Sequence, residues 1–198
     1  TIAPMFSRGI TDRINLLGSI NWVRTHATQG QLAGVSGLQD WNVWLKFKAL
    51  QAGNWSLYAI GGASGPASNY LPDYVPLNLG LGSYEGSLRL LTEYDFGQGF
   101  FGRAFAAWHL RSNTTIERTY YYTTQGFYSD KVDMPNAVTY GATLGKWLLD
   151  DGLRLELSLD GLYTTGGHDI RRQDVGFPSN KMVFLRAGGM ARYHFSPS

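Results

Sequence analysis

The 198 residues carry 17 Lys and Arg against 15 Asp and Glu, and the net charge of +2 is spread along the chain rather than clustered, which argues against a nucleic-acid partner. There is no cysteine, so neither a disulfide framework nor a Cys-based metal site can be built. Mean hydropathy is −0.20 and no run approaches the roughly 20 apolar residues of a membrane-spanning helix, whereas the 25 glycines and 14% aromatics stand out against a usual glycine share of about 7%.

In chain order, Thr1-Ile2-Ala3-Pro4 lacks the charged-then-apolar layout of an export signal, so an exported protein would be in processed or truncated form here. Ile2–Arg8 predicts a strand that leads into a tight turn at Gly9–Asp12. In Arg13–Arg24 the residues Ile14, Leu16, Gly18, Ile20 and Trp22 alternate with Arg13, Asn15, Leu17, Ser19 and Asn21, the period of two that marks a strand. Gln39–Leu50 sets Trp41, Val43, Leu45, Phe47 and Ala49 against Asn42, Trp44, Lys46 and Lys48. After a turn at Ala52–Asn54, Asn54–Gly62 places Trp55, Leu57 and Ala59 opposite Ser56 and Tyr58.

Glu85–Phe96 opposes Leu88, Leu90 and Tyr94 to Arg89, Leu91 and Glu93, and a turn at Gly97–Gly99 follows. Phe100–Arg111 alternates Gly102, Ala104, Ala106 and Trp108 with Arg103, Phe105 and His109. Ala137–Leu148 alternates Val138, Tyr140, Ala142 and Leu144 with Thr139, Gly141 and Thr143. Beyond the turn at Asp150–Gly152, Leu153–Thr165 puts Leu153, Leu155, Leu157 and Leu159 on one side and Arg154, Glu156, Ser158 and Asp160 on the other. Met182–Phe195 ends the series, with Val183, Leu185, Ala187, Ala191, Tyr193 and Phe195 opposite Arg186, Arg192 and His194. Leucines at a spacing of two would wrap around a 3.6-residue helix and bury no single face, so helix is a poor competitor.

Connection lengths alternate. The tight turns carry the expected Gly, Asn and Asp, and between them lie the long segments Ala27–Leu38, Ala63–Tyr84, Ser112–Asn136 and Gly166–Lys181. Short turns on one side and long loops on the other predict an all-β, transmembrane, antiparallel up-and-down β-barrel in the outer membrane of a Gram-negative bacterium. A soluble sandwich has no reason to segregate its loops so, and a lipocalin-like barrel turns its apolar residues inward. A charge at the bilayer midplane costs about 2–4 kcal/mol for Arg or Lys. The face that carries Arg13, Lys46, Lys48, Arg89, Glu93, Arg103, His109, Arg154, Glu156, Asp160, Arg186 and Arg192 is therefore expected to line the lumen, as the wall of a solute path. Lys146, alone on the other face, sits where its stem can snorkel to the interface. Aromatics near strand ends (Trp22, Trp41, Trp55, Tyr94, Trp108, Tyr163, Tyr193 and Phe195) suit interfacial girdles. Nine strands is an odd number, and an unpaired edge is not tolerated in lipid. Residues 1–198 are thus expected to be one barrel domain, the C-terminal part of a longer barrel of 10–14 strands or one that a partner closes.

Three segments carry a resemblance. Tyr193-His194-Phe195 resembles the aromatic-terminated strand that the outer-membrane insertion machinery recognises, although Ser196-Pro197-Ser198 follows it. Gly9-Ile10-Thr11-Asp12-Arg13 is similar to the G-(I/L)-T-D-R turn of the phenol-degradation "MetA-pathway" family of outer-membrane transporters. Leu38–Phe47 resembles that family's (L)GD-l-x-l-x-x-K-(Y/F) strand, with Gln39 where Gly is usual, and Gly61–Pro66 sits at its Pro/Gly break. The resemblance implies a barrel related to fatty-acid and aromatic-hydrocarbon channels and the uptake of small apolar molecules.

Catalysis is not expected. A lipase needs a Ser–His pair with an orienting third group, and neither His109 nor His194 has an evident Ser partner. Glu156 and Asp160 lie about 13 Å apart along one strand, too far to share a proton, and are expected to pair with Arg154, Arg186 and Arg192. His168-Asp169 lacks a third ligand nearby, so no metal is expected, and no cofactor. Tyr120, Tyr121, Tyr122, Phe127 and Tyr128 in the longest loop suit an entrance for an apolar ligand, a surface for a protein partner, or a self-packed lid. Two functions stay open: a channel for small apolar or aromatic solutes, or a structural barrel subunit of a larger outer-membrane complex. The expected partners are outer-membrane lipid, a small apolar solute and other subunits of such a complex.

Overall fold

In a computed structural model of the chain, nine strands form a single antiparallel sheet in unbroken chain order. They are β1 (Met5–Gly9), β2 (Ile14–Arg24), β3 (Ser36–Ala52), β4 (Trp55–Pro66), β5 (Glu85–Gly97), β6 (Phe100–Arg111), β7 (Ala137–Leu148), β8 (Leu153–Thr164) and β9 (Val183–Tyr193). The structure describes residues 1–29, 33–72, 77–116, 121–122, 128–149, 152–167 and 181–194. Among these there is no helix, and β1 and β9 form the two edges, paired to β2 and β8 alone.

Local chemistry sets the tight turns. At the β1–β2 turn the Thr11 hydroxyl accepts the Arg13 and Ile14 N–H groups at 3.2 and 3.1 Å, a side-chain closure that gives the Gly9–Arg13 motif its reason for a threonine. Gly53 takes a φ of 56° in the two-residue turn between β3 and β4, and Gly97, Gln98 and Gly99 all have positive φ between β5 and β6. On the opposite side the connections run through 25–35, 67–84, 112–136 and 165–182. Parts of these loops are built: Thr114–Thr115 pairs with Lys131–Val132, and Ile116 packs on Val132. The Tyr70 phenol donates to Asp40 Oδ1 at 2.5 Å and accepts the Gly82 N–H at 3.1 Å, tying the 67–84 loop to β3. Burial, then that bond to Asp40, holds the Tyr70 hydroxyl well above the ordinary phenol range. Tyr70→Phe leaves the half-buried Asp40 short of a donor and should cost about 1–3 kcal/mol, read as a shift in denaturant midpoint at constant slope.

Three expectations are corrected. Ile2–Arg8 forms a strand only from Met5, because Ile2 makes one isolated bridge to Trp22 and Pro4 cannot donate. The loop assigned to Ala27–Leu38 ends earlier, since β3 begins at Ser36. Gly61–Pro66 is no break: β4 continues to Pro66, which pairs with Asp40 at the strand end where its missing N–H is harmless. The small residues there are strand residues because rings fill their space; a Cβ on Gly62 would lie 2.0 Å from the Trp44 indole. Beds of this kind account for part of the glycine count. Trp44, Phe101 and Phe105 lie over Gly62, Gly145 and Gly141, and Phe6, Phe96 and Tyr140 over Gly18, Gly102 and Gly161.

Burial is inverted relative to a soluble fold. On the leucine side Leu88, Leu144, Leu157 and Leu185 are 58%, 65%, 73% and 61% exposed, while the buried apolar residues among those described are few and lie in loops or on the other face, such as Leu79, Phe101, Ala107 and Val132. The accessible surface is 13408 Å², against about 9,300 Å² for a compact monomer of 22.0 kDa. Apart from Arg8, Arg24 and Lys146 near strand ends, the leucine face of the sheet is apolar and uncovered among the described residues, far beyond the few hundred Å² of patch usual for a monomer.

Candidate functional site: the polar face

Register places the expected path residues on the face opposite the leucines, except Arg13, which lies in the turn before β2. Lys46 and Lys48 on β3, Arg89 and Glu93 on β5, Arg103 and His109 on β6, Arg154, Glu156 and Asp160 on β8, and Arg186 and Arg192 on β9 share it. A bulge helps on β3: Ile20 pairs with Trp41 and Trp22 with Leu38, so Gln39 and Asp40 together oppose Asn21. Gln39 accepts from the Asn21 amide at 3.4 Å and Asp40 meets Tyr70, so both reach polar partners. Most of these groups are half-buried; Arg89, Arg186 and Arg192, the last two on the edge strand β9, are exposed.

The polar side chains gather at two levels. Near the loop end, His109 Nδ1 lies 2.7 Å from Glu85 Oε1 and its Nε2 lies 2.9 Å from the Thr139 hydroxyl. Arg111 Nε donates to Glu85 Oε2 at 2.9 Å, and the Arg111 N–H to the Asn136 side chain at 2.9 Å. Three strands are cross-linked at the height where the loops leave the sheet. A hydroxyl, an imidazole and a carboxylate stand in line here, with threonine where the sequence offered no serine.

Near the turn end a second cluster is built on Gly145. Phe101 lies across Gly145, and its ring supports two guanidiniums, Arg103 at 5.0 Å and Arg154 at 4.9 Å, with Trp147 5.1 Å from Arg154. Both arginines turn to one carboxylate oxygen, Glu156 Oε1, which Arg154 Nε meets at 2.6 Å and Arg103 through Nη2. Glu156 thus pairs as expected with Arg154, and also with Arg103 two strands away, an approach that Gly145 permits by having no side chain. Asp160 meets its register partner Arg186 at 2.7 Å. Arg192 stands opposite Arg154 in register rather than on Glu156, and its side chain has no hydrogen bond or ion pair among the described residues.

Single contacts complete the face: Lys46 lies 4.0 Å from the Tyr58 ring centre, Arg89 lies 4.6 Å from that of Phe105, and Lys48 donates to Gln51 at 3.1 Å. Sequence reasoning missed Glu85, Arg111, Phe101 and Trp147 as site residues. Their parity with His109, Arg103 and Thr143 was the available signal. Lys146, on the leucine side, sits 4.2 Å over Phe100 beside the turns.

The apolar face has a hollow of about 550 Å³ with Gly102, Ala104 and Ala142 as floor, between Trp55 and Phe96 on one side and Leu144 and Leu157 on the other. In the longest loop Tyr121 and Tyr122 pair with Ser129 and Tyr128 in a short ladder. Tyr120, Phe127, His168, Asp169 and Phe195 lie outside the described residues. No protein-family model matches the chain, and no curated protein is significantly similar to it.

Proposed function

We propose that the chain is part of the wall of an outer-membrane β-barrel that conducts small apolar or aromatic solutes, with the polar face as its lumen. The observation that carries this is the inverted sheet: exposed leucines on one face, paired charges on the other. The apolar face is banded as a lipid contact would be. Trp55, Tyr94, Phe96, Phe100 and Tyr193 lie at the turn ends of their strands, and Trp22, Trp108, Tyr140 and Tyr163 at the loop ends. From Phe100 to Trp108 is about 27 Å of strand at 3.4 Å per residue. Tilted by about 40°, it gives roughly 20 Å, close to the ~25 Å apolar band of such barrels.

The free edges of β1 and β9 require strands beyond these nine, for a closed barrel of 10–14 strands. Supplied by the same polypeptide, they make a channel; supplied by another subunit, they favour the structural role in a complex. The His109 cluster is read as a cross-link, and no catalysis is assigned to it. The Tyr120–Tyr122 and Phe127–Tyr128 aromatics serve as the outer entrance, and Tyr193 with Phe195 as the insertion signal. Swelling of liposomes that hold the full-length protein tests the channel. Entry of toluene-sized alcohols above the empty-liposome rate is the expected result, and no permeation of any solute would overturn it.

A further inference from the structure

We infer that the Arg103–Arg154–Glu156 cluster, with Arg192 across from it, is a docking site for the carboxylate of an aromatic or apolar acid. The inference deepens the channel reading and rests on it for the solute's route, but not for binding itself. Charge comes first: Arg103 and Arg154 share one oxygen of Glu156, Arg192 stands opposite Arg154 in register, and Glu93 faces Arg103 from β5 without an ion pair among the described residues, so three guanidiniums stand against two carboxylates at this level. Donor balance points the same way. Two arginines offer ten N–H groups, and those that find an acceptor here converge on the single atom Glu156 Oε1. Arg103 Nε is buried without a partner among the described residues, so Glu156 leaves this guanidinium only partly satisfied. The 28% of the Arg103 side chain that stays exposed is the part an incoming acceptor can reach.

The geometry favours a flat anion. The Phe101 and Trp147 rings lie 4.9–5.1 Å from the guanidinium centres, and a guanidinium held against a ring offers its N–H groups in the plane where a carboxylate binds. The side chains of Arg103, Arg154 and Glu156 keep 28%, 19% and 13% of their surface, enough for a solute to reach while water competes weakly. The Asp160–Arg186 pair, one to one, has no such surplus.

Equilibrium dialysis of radiolabelled benzoate against the full-length protein in detergent tests the site, with benzyl alcohol as the neutral twin. Benzoate should be retained and benzyl alcohol not, and Arg103→Gln should weaken benzoate retention about tenfold. Glu156→Gln keeps an oxygen for both arginines while removing the competing charge, and should tighten benzoate several-fold. A purely structural cluster would lose binding in both variants, or in neither. Heat-modifiable gel migration of each variant verifies folding. No retention of benzoate, equal retention by Arg103→Gln, or weaker retention by Glu156→Gln would overturn the proposal. Conductance is recorded on the same preparations. Benzoate retained by a barrel that passes no solute would uphold the site while overturning the channel.

Discussion

Leu157→Arg is expected to weaken folding of the full-length protein into lipid by about 2–4 kcal/mol. Leu157 lies midway along β8 and is 73% exposed. In water, substitution of so exposed a residue stays within about ±0.5 kcal/mol, because nothing packs on it. In a bilayer the same exposure means contact with hydrocarbon, and a guanidinium there must be neutralised, dragged to the interface or solvated by a defect. The two environments therefore predict effects that differ several-fold for one substitution. Ser158→Arg, next in sequence but on the polar face, should cost under about 1 kcal/mol if that face is wet. Urea-dependent folding into short-chain phosphatidylcholine vesicles, read by heat-modifiable migration, measures both. Equal small costs at the two positions would remove the apolar face from lipid and with it the membrane barrel.

Strand alternation was legible because each strand has one apolar and one polar face, so parity alone assigned Leu155, Leu157 and Leu159 away from Arg154, Glu156 and Asp160. The nine-strand order followed from connection lengths. Edges of strands were less legible. The strand expected over Asn54–Gly62 runs on to Pro66, an extension hidden because nothing local says that Trp44 and Tyr84, distant in sequence, lie over Gly62 and Gly65. The bulge that sends Gln39 and Asp40 to one face was hidden for the same reason: it depends on a register with β2. Pairings within the polar face split similarly. Asp160 and Arg186 are neighbours on adjacent strands, the kind of cross-strand pair that parity suggests. Arg103 reaches Glu156 across an intervening strand, which requires a hole in that strand's side-chain layer. The hole is Gly145, and no rule of spacing marks one strand glycine as such a hole.

Gly145→Val should accordingly destabilise the protein although valine is the better strand residue. β-propensity favours the change by at most about 1 kcal/mol. Against it, the new Cβ would lie 2.2 Å from the Phe101 ring, itself only 7% exposed and flanked by the Arg103 and Arg154 guanidiniums. The ring has little room to yield, so overpacking at about 1–3 kcal/mol outweighs the propensity gain. The double variant Gly145→Val/Phe101→Ala separates this from a generic strand effect. Phe101→Ala alone removes a buried ring at about 3–5 kcal/mol, but in its absence the valine has space to occupy. The paired loss should then fall at least 1 kcal/mol short of the sum of the two single losses. Additivity within about 0.5 kcal/mol would mean that Phe101 does not rest on Gly145, and the route by which Arg103 crosses β7 to reach Glu156 would need another explanation.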